Sequence, residues 1–225
     1  MVPSAAMETT SQRGPRTRGS ATWRKCLMAF LLARFSGRHE RHVADRKRIL
    51  LSDLDGDILE IGPGAGVNLR YYRGRIRWVG IEPNPFMHPY LRREAKRVGL
   101  QVEIRSGAAE RLDAGDESAD AVVSTLVLCS VQDVRATLRE IQRVLRPGGR
   151  FVFLEHVAAP PKTWLRRLQR LVRPVSRLLA DGCCPDREIW RPLVGAGFAR
   201  VEYQSFRVPI PITAPHIAGV AIKRA

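Results

Sequence analysis

Asp57-Ile58-Leu59-Glu60-Ile61-Gly62-Pro63-Gly64-Ala65-Gly66 is the stretch from which the rest of the chain can be read. Ile58, Leu59 and Ile61 make a short apolar run of the kind that forms a buried strand, and three glycines on alternate residues end it. Only a backbone without Cβ turns this sharply and still lets a ligand lie against it. A second apolar strand, Trp78-Val79-Gly80-Ile81, leads to Glu82, about twenty residues on, where a carboxylate can accept hydrogen bonds from both hydroxyls of a ribose. A glycine turn followed by such an acid is a site for a nucleoside cofactor.

Outward from this unit the chain alternates strand and helix. Strands are predicted at 57–62, 77–82, 102–107, 119–126 and 150–157, with the clearest helix at 133–146. There Val134, Leu138, Ile141 and Leu145 line one face and Arg146-Pro147-Gly148-Gly149 stops it. Buried Val/Ile-rich strands alternating with helices imply an α/β, doubly wound parallel sheet with helices on both faces. Residues 158–185 break the pattern. Trp164, Leu165, Leu168, Leu171 and Val172 recur there at helical spacing among arginines, Pro174 ends or kinks the helix, and Asp181-Gly182-Cys183-Cys184-Pro185 makes a turn. Asp186 is placed to cap a further helix over Ile189, Trp190 and Leu193. Strands at about 198–208 and 216–223 then form an antiparallel hairpin at the sheet edge. The domain reading is a disordered Arg-containing leader at 1–22, with Met7 as an alternative start, and one domain over 23–225. Within that domain, 23–52 forms N-terminal helices and 158–185 a lid.

A chain of 225 residues carries one large core. The formal net charge of +16 invites a nucleic-acid or membrane-surface reading. Yet the basic residues are mostly arginines spread along the chain, with lysine only at 25, 47, 96, 162 and 223, which fits a solvated surface. Cys26, Cys129, Cys183 and Cys184 show no Cys-x-x-Cys spacing, so a reduced, cytoplasmic chain with no metal site is expected. The apolar run Cys26–Ala33 is far short of the ~20 residues of a spanning helix. It reads as a helix over the cofactor pocket or as an interfacial one. Peripheral membrane contact is therefore expected through Trp23–Phe35 or Trp164–Arg177.

Charge decides the cofactor. Dinucleotide sites use Gly-x-Gly-x-x-Gly and aim a helix N-terminus at a pyrophosphate. Here the spacing is Gly-x-Gly-x-Gly, and Glu60 stands beside it, repelling phosphate and favouring an amino group. S-adenosylmethionine, with an ammonium, a sulfonium and an unphosphorylated ribose, fits better than NAD.

Glu60 to Gly66, Gly80-Ile81-Glu82-Pro83-Asn84, the strand Asp120–Val123 and Leu145–His156 together resemble the Rossmann-like S-adenosylmethionine-dependent methyltransferases. The resemblance implies a seven-stranded sheet, mostly parallel, with an antiparallel last strand. It also implies that Glu60, Gly62, Pro63, Gly64 and Gly66 surround the methionine end, and that Glu82, Pro83 and Asn84 attend the ribose. The backbones of Ala108 and Ala109 would meet the adenine, with Thr125 and Leu126 completing the set. Ser124–Val131, Glu155–Ala159, Asp181–Cys183 and Pro215–Ile217 are similar to the animal membrane-associated alkyl-thiol S-methyltransferases, which implies a small, hydrophobic thiol as acceptor. An O- or C-methyltransferase of a quinone or natural product, a lipid-headgroup N-methyltransferase and a non-catalytic cofactor-binding partner protein are the alternatives. Nucleic-acid methylation fits less well, because Ser124-Thr125-Leu126-Val127 stands where a base-sandwiching Pro-Pro segment would be. A thiol must lose its proton to become a strong nucleophile. His156, just past the fifth strand, and His216, entering the last, are the candidate bases, with a hydrogen-bonded wall residue as the alternative for each; Asp181 either orients one of them or simply makes the turn.

Overall fold

The computed structural model describes residues 18–225; the sequence-predicted leader up to residue 17, and the choice of start, lie outside it. In chain order the strands are β1 (Gly56–Ile61), β2 (Ile76–Ile81), β3 (Val102–Arg105), β4 (Ala119–Thr125), β5 (Leu145–His156), β6 (Arg200–Arg207) and β7 (Pro215–Ile222). They form one seven-stranded sheet in the order β3-β2-β1-β4-β5-β7-β6, in which β7 runs antiparallel to both neighbours. The helices are α1 (Arg18–Leu51), α2 (His88–Val98), α3 (Val134–Val144), α4 (Trp164–Leu179) and α5 (Trp190–Val194).

Period-two alternation along the buried strands sorts the core into two layers. Leu59, Ile61, Val122, Phe151 and Phe153 face α3 and α5, meeting Leu138, Ile141, Ile189 and Leu193. Ile58, Ala121, Val123 and Val152 face the other way, against Leu51 from α1, Leu69 from the short helical turn Val67–Tyr71 that follows β1, and Leu91 and Ala95 from α2. Both faces are therefore covered, as the near-continuous apolar strands require. Reversal of strand order between β1 and β4 opens a crevice at their carboxyl ends, where ligands bind in such sheets.

Local differences from the sequence reading have local causes. Arg146–Gly149 does not end the helix by a free turn: α3 stops at Val144 and these residues are already strand. They make an irregularity where β4 partners jump from Leu145 to Arg150, and Arg146 binds Asp57 and Asp120. Pro174 does not end α4, which runs on to Leu179. Asp186 caps no helix; it pairs with Arg173, and α5 starts at Trp190. The apolar stripe of α4 is split rather than buried as a unit: Trp164 is 70% and Leu171 76% exposed, Leu168 and Val172 are half-buried, and Leu165 is buried together with Gln169. Gln169 explains this orientation, since its amide reaches the backbone of Val157, Ala159 and Ile212.

The two expected N-terminal helices are one, beginning at Arg18 rather than Trp23. Its inner face carries polar contacts, one within the helix and two to the rest of the fold. Lys47 donates to Glu40 at 2.7 Å, Tyr71 donates to the same carboxylate at 2.6 Å, and His39 Nε2 lies 2.9 Å from His216 Nε2. Burial drives the His39 pKa down to about 4 and that of His216 to about 3. The folded chain thus refuses protons that the unfolded chain accepts from about pH 6.5 downward, so this stability is complete above that pH and lost as pH falls toward 4 and 3. The melting temperature should fall between about pH 7 and about pH 5, and His216→Phe should flatten that slope. Equal slopes for the two proteins would refute the assignment.

Candidate active site

The glycine turn is shaped by the protein at two positions and left bare at the third. Gly62 and Gly66 have positive φ, and a Cβ would meet Val127 Cγ2 at 2.7 Å or Leu91 Cδ1 at 2.6 Å. Gly64, at φ +56°, faces nothing closer than Met87 Cε at 3.3 Å. The turn is closed by the Gly66 amide on the Pro63 carbonyl. Glu82 ties it to the end of β2: one oxygen accepts from the Gly64 amide at 2.9 Å, the other from the Asn84 amide at 2.8 Å. Each oxygen keeps acceptor capacity for a ribose hydroxyl. Burial pushes the Glu82 pKa up, the Asp181 charge adds to this, and the two amides oppose it.

Glu60 does not stand open beside the turn. It shares the face of β1 that carries Ile58, is 1% exposed, and accepts from Asn68 Nδ2, Tyr72 Oη and Trp78 Nε1 at 2.8, 2.8 and 3.0 Å. Its charge lies beneath the turn and is satisfied by protein donors. What it orients is Asn68, a residue the sequence reading missed. Asn68 Nδ2 is committed to Glu60 and to Thr125 Oγ1, which leaves its buried Oδ1 without a partner. An orphaned buried acceptor one turn beyond the glycines leaves room for a donor from a ligand. Asn84 is likewise not free: its side chain donates to the Lys25 carbonyl in α1 and accepts from Phe86, so only its amide serves the Glu82 loop. Pro83 is exposed. Ala109 is buried, the Ala108 carbonyl accepts from Arg111, and Glu110 pins this segment to the Gln132 amide.

Thr125 and Leu126 end β4, and Leu126 is held at φ +59°, which costs a non-glycine residue about 1–2 kcal/mol. Glu155, fully buried and overlooked in the sequence, supplies the constraint. One of its oxygens accepts from Ser124 Oγ and from the amides of Val127 and Leu128. Residues 182–187 then dock on this loop. A Cβ on Gly182 would meet the Ser130 carbonyl at 2.9 Å, the Cys184 amide donates to Cys129, and Arg187 donates to Leu128 and Val131.

That docking brings Cys183 to His156. His156 Nε2 lies 3.2 Å from Cys183 Sγ, and the ligand atoms of Cys129, His156 and Cys183 lie within 4.8 Å of one another. Along the chain the cysteines show no metal-ligand spacing, but the fold gathers these three groups across it. His156 Nδ1 is buried without a partner. Both nitrogens of His216, by contrast, are engaged, by His39 and near the Ala214 carbonyl. Asp181, at φ +47°, stands at the rim of the same turn and makes no contact with either imidazole that would orient it.

Residues 59–153 match the family described as a methyltransferase domain. Thiol S-methyltransferase TMT1A of Homo sapiens is 38% identical over 207 residues, which is 86% of this chain and 85% of that protein. The chain belongs to the thiol S-methyltransferase family. Thiol S-methyltransferase TMT1B of Homo sapiens is 36% identical, with 88% and 87% covered. The crystal structure of the YcgJ protein from Bacillus subtilis, 20% identical, superposes with a TM-score of 0.65 over 83% of this chain and all of that one, and shares the fold. The protein is an S-adenosylmethionine-dependent methyltransferase.

The residues present fit that cofactor: a bare Gly64, a carboxylate at Glu82 and an unsatisfied acceptor on Asn68. Gly64→Ala should fold, because its Cβ meets only the end of Met87 and its left-handed φ costs about 1–2 kcal/mol, yet weaken S-adenosylmethionine binding in calorimetry by at least about tenfold. Asn68→Ala should weaken it by a similar factor, about 1.4 kcal/mol for one charged hydrogen bond. Unchanged affinity in both would remove the fit.

Proposed function

We propose that this enzyme methylates the sulfur of a small lipophilic thiol, and that the acceptor sulfur is received against Cys129, His156 and Cys183. The observation that carries the reading is the reach of the match: relatives named thiol S-methyltransferases align over more than four fifths of the chain, well beyond the cofactor-binding segment. When bound, S-adenosylmethionine supplies a methyl group already activated on its sulfonium. The chain's own task is to hold the two sulfurs in line, exclude water and keep the acceptor deprotonated.

The residues divide this work. Glu82, the amide of Asn84, Gly64 and Asn68 hold the cofactor from the β1 and β2 side, and Ala108, Ala109, Thr125 and Leu126 from the β3 and β4 side. His156 faces the acceptor side through Nε2, beside Cys183 and Cys129, and His216 with His39 forms the neutral wall behind it. We also assign a lipid surface as a partner. Leu171, Val175 and Leu179 project from α4 beside Arg170, Arg173 and Arg177, and Trp23, Leu27 and Phe30 project from α1. Apolar faces flanked by arginine suit peripheral contact with anionic lipid. Among the described residues no helix is long and apolar enough to cross a membrane.

An acceptor panel with labelled S-adenosylmethionine tests the reading. Alkyl thiols should be methylated, and quinols, phenols and lipid amines left unchanged; labelling of those acceptors instead of thiols would overturn it. His156→Ala should lower thiol turnover by at least about a hundredfold with cofactor affinity retained. Leu171→Glu with Val175→Glu should abolish sedimentation with anionic vesicles and leave turnover of a water-soluble thiol unchanged.

A further inference from the structure

We propose that Cys129, His156 and Cys183 form a binding site for one zinc ion, whose fourth position takes the acceptor thiol. The second half of this statement rests on the thiol reading above; the first rests on the cluster alone.

A tetrahedral site with sulfur at about 2.3 Å and nitrogen at about 2.0–2.1 Å from zinc puts its ligand atoms roughly 3.5 Å apart. Here His156 Nε2 and Cys183 Sγ are 3.2 Å apart, and all three ligand atoms fall within 4.8 Å. Cys129 and His156 are buried and Cys183 half-buried, and no carboxylate belongs to the cluster. Two sulfurs and an imidazole select a borderline-soft ion such as zinc over magnesium or calcium. Two thiolates cancel its double charge, so the ion is buried without net charge. The ligands are also held from outside. Glu155 fixes the loop that bears Cys129, and the Cys184 amide, Gly182 and Arg187 press the Cys183 turn onto it. Without an ion the cluster leaves its two thiols with only weak contacts.

Three protein ligands leave a tetrahedral ion one open position, the arrangement of catalytic rather than structural zinc. Binding the ion releases the protons of Cys129 and Cys183 to solvent. An acceptor thiol entering the fourth position loses its own proton in the same way and stays a thiolate near neutral pH, its nucleophilic lone pairs kept on sulfur. The chain therefore needs no free base, and His156 serves as ligand.

The full-length enzyme, purified without chelator, should contain about one zinc per chain by mass spectrometry of the metal. His156→Ala, Cys129→Ser and Cys183→Ser should each reduce this to background, with circular dichroism confirming the fold, and Cys26→Ser, at an exposed position, should retain it. Cobalt exchange should give a thiolate-to-metal absorption band, and an alkyl thiol, but not the matching alcohol, should shift the cobalt ligand-field bands. Absence of zinc and of a cobalt band in protein that still binds S-adenosylmethionine overturns the site. Full-rate thiol methylation by chelator-stripped enzyme overturns the ion's role and leaves the thiol reading standing. An occupied site in an enzyme that methylates no thiol supports the ion and overturns the thiol as its fourth ligand.

Discussion

One buried carboxylate sets the geometry of both halves of the site. Glu155 sits at the end of β5 and takes the hydroxyl of Ser124 and the amides of Val127 and Leu128 on a single oxygen. Those bonds hold the chain after β4 in a tight, left-handed course at Leu126. Thr125, upstream of that bend, reaches Asn68 and the cofactor side; Cys129, downstream, meets His156 and Cys183. A carboxylate without water is costly to bury, and its donors here are mostly backbone, which substitution of side chains cannot remove. Glu60 repeats the device at the end of β1, where it spends its charge on Asn68, Tyr72 and Trp78.

The frame was legible because it is written locally. Apolar runs of strand length, glycines at Gly62, Gly64 and Gly66, and the acid Glu82 about twenty residues on fix a parallel sheet, its crevice and a phosphate-free cofactor. The antiparallel β7 and the family followed from motifs that stand in order along the chain. S-adenosylmethionine was legible by charge, although the residue used in that argument, Glu60, points into the protein rather than at the ligand.

What was not legible depends on contacts between distant residues. Nothing near Asn68 marks it; its meaning comes from two partners that immobilise one end of its amide and leave the other bare. Cys129, His156 and Cys183 are separated first by α3 and β5, then by α4, so linear spacing hides their meeting. Likewise, the heptad-like apolar pattern of α4 specifies a stripe but not which way it faces. Gln169 decides that, because its amide finds three backbone partners on the inner side.

One rod touches both ends of the reaction crevice. Near its start α1 lends the Lys25 carbonyl to Asn84, whose amide steadies Glu82; farther along, His39 backs His216. The same rod carries Trp23, Leu27 and Phe30 outward. A surface meeting those side chains would therefore bear on the same helix that supports Glu82 through Asn84 and His216 through His39.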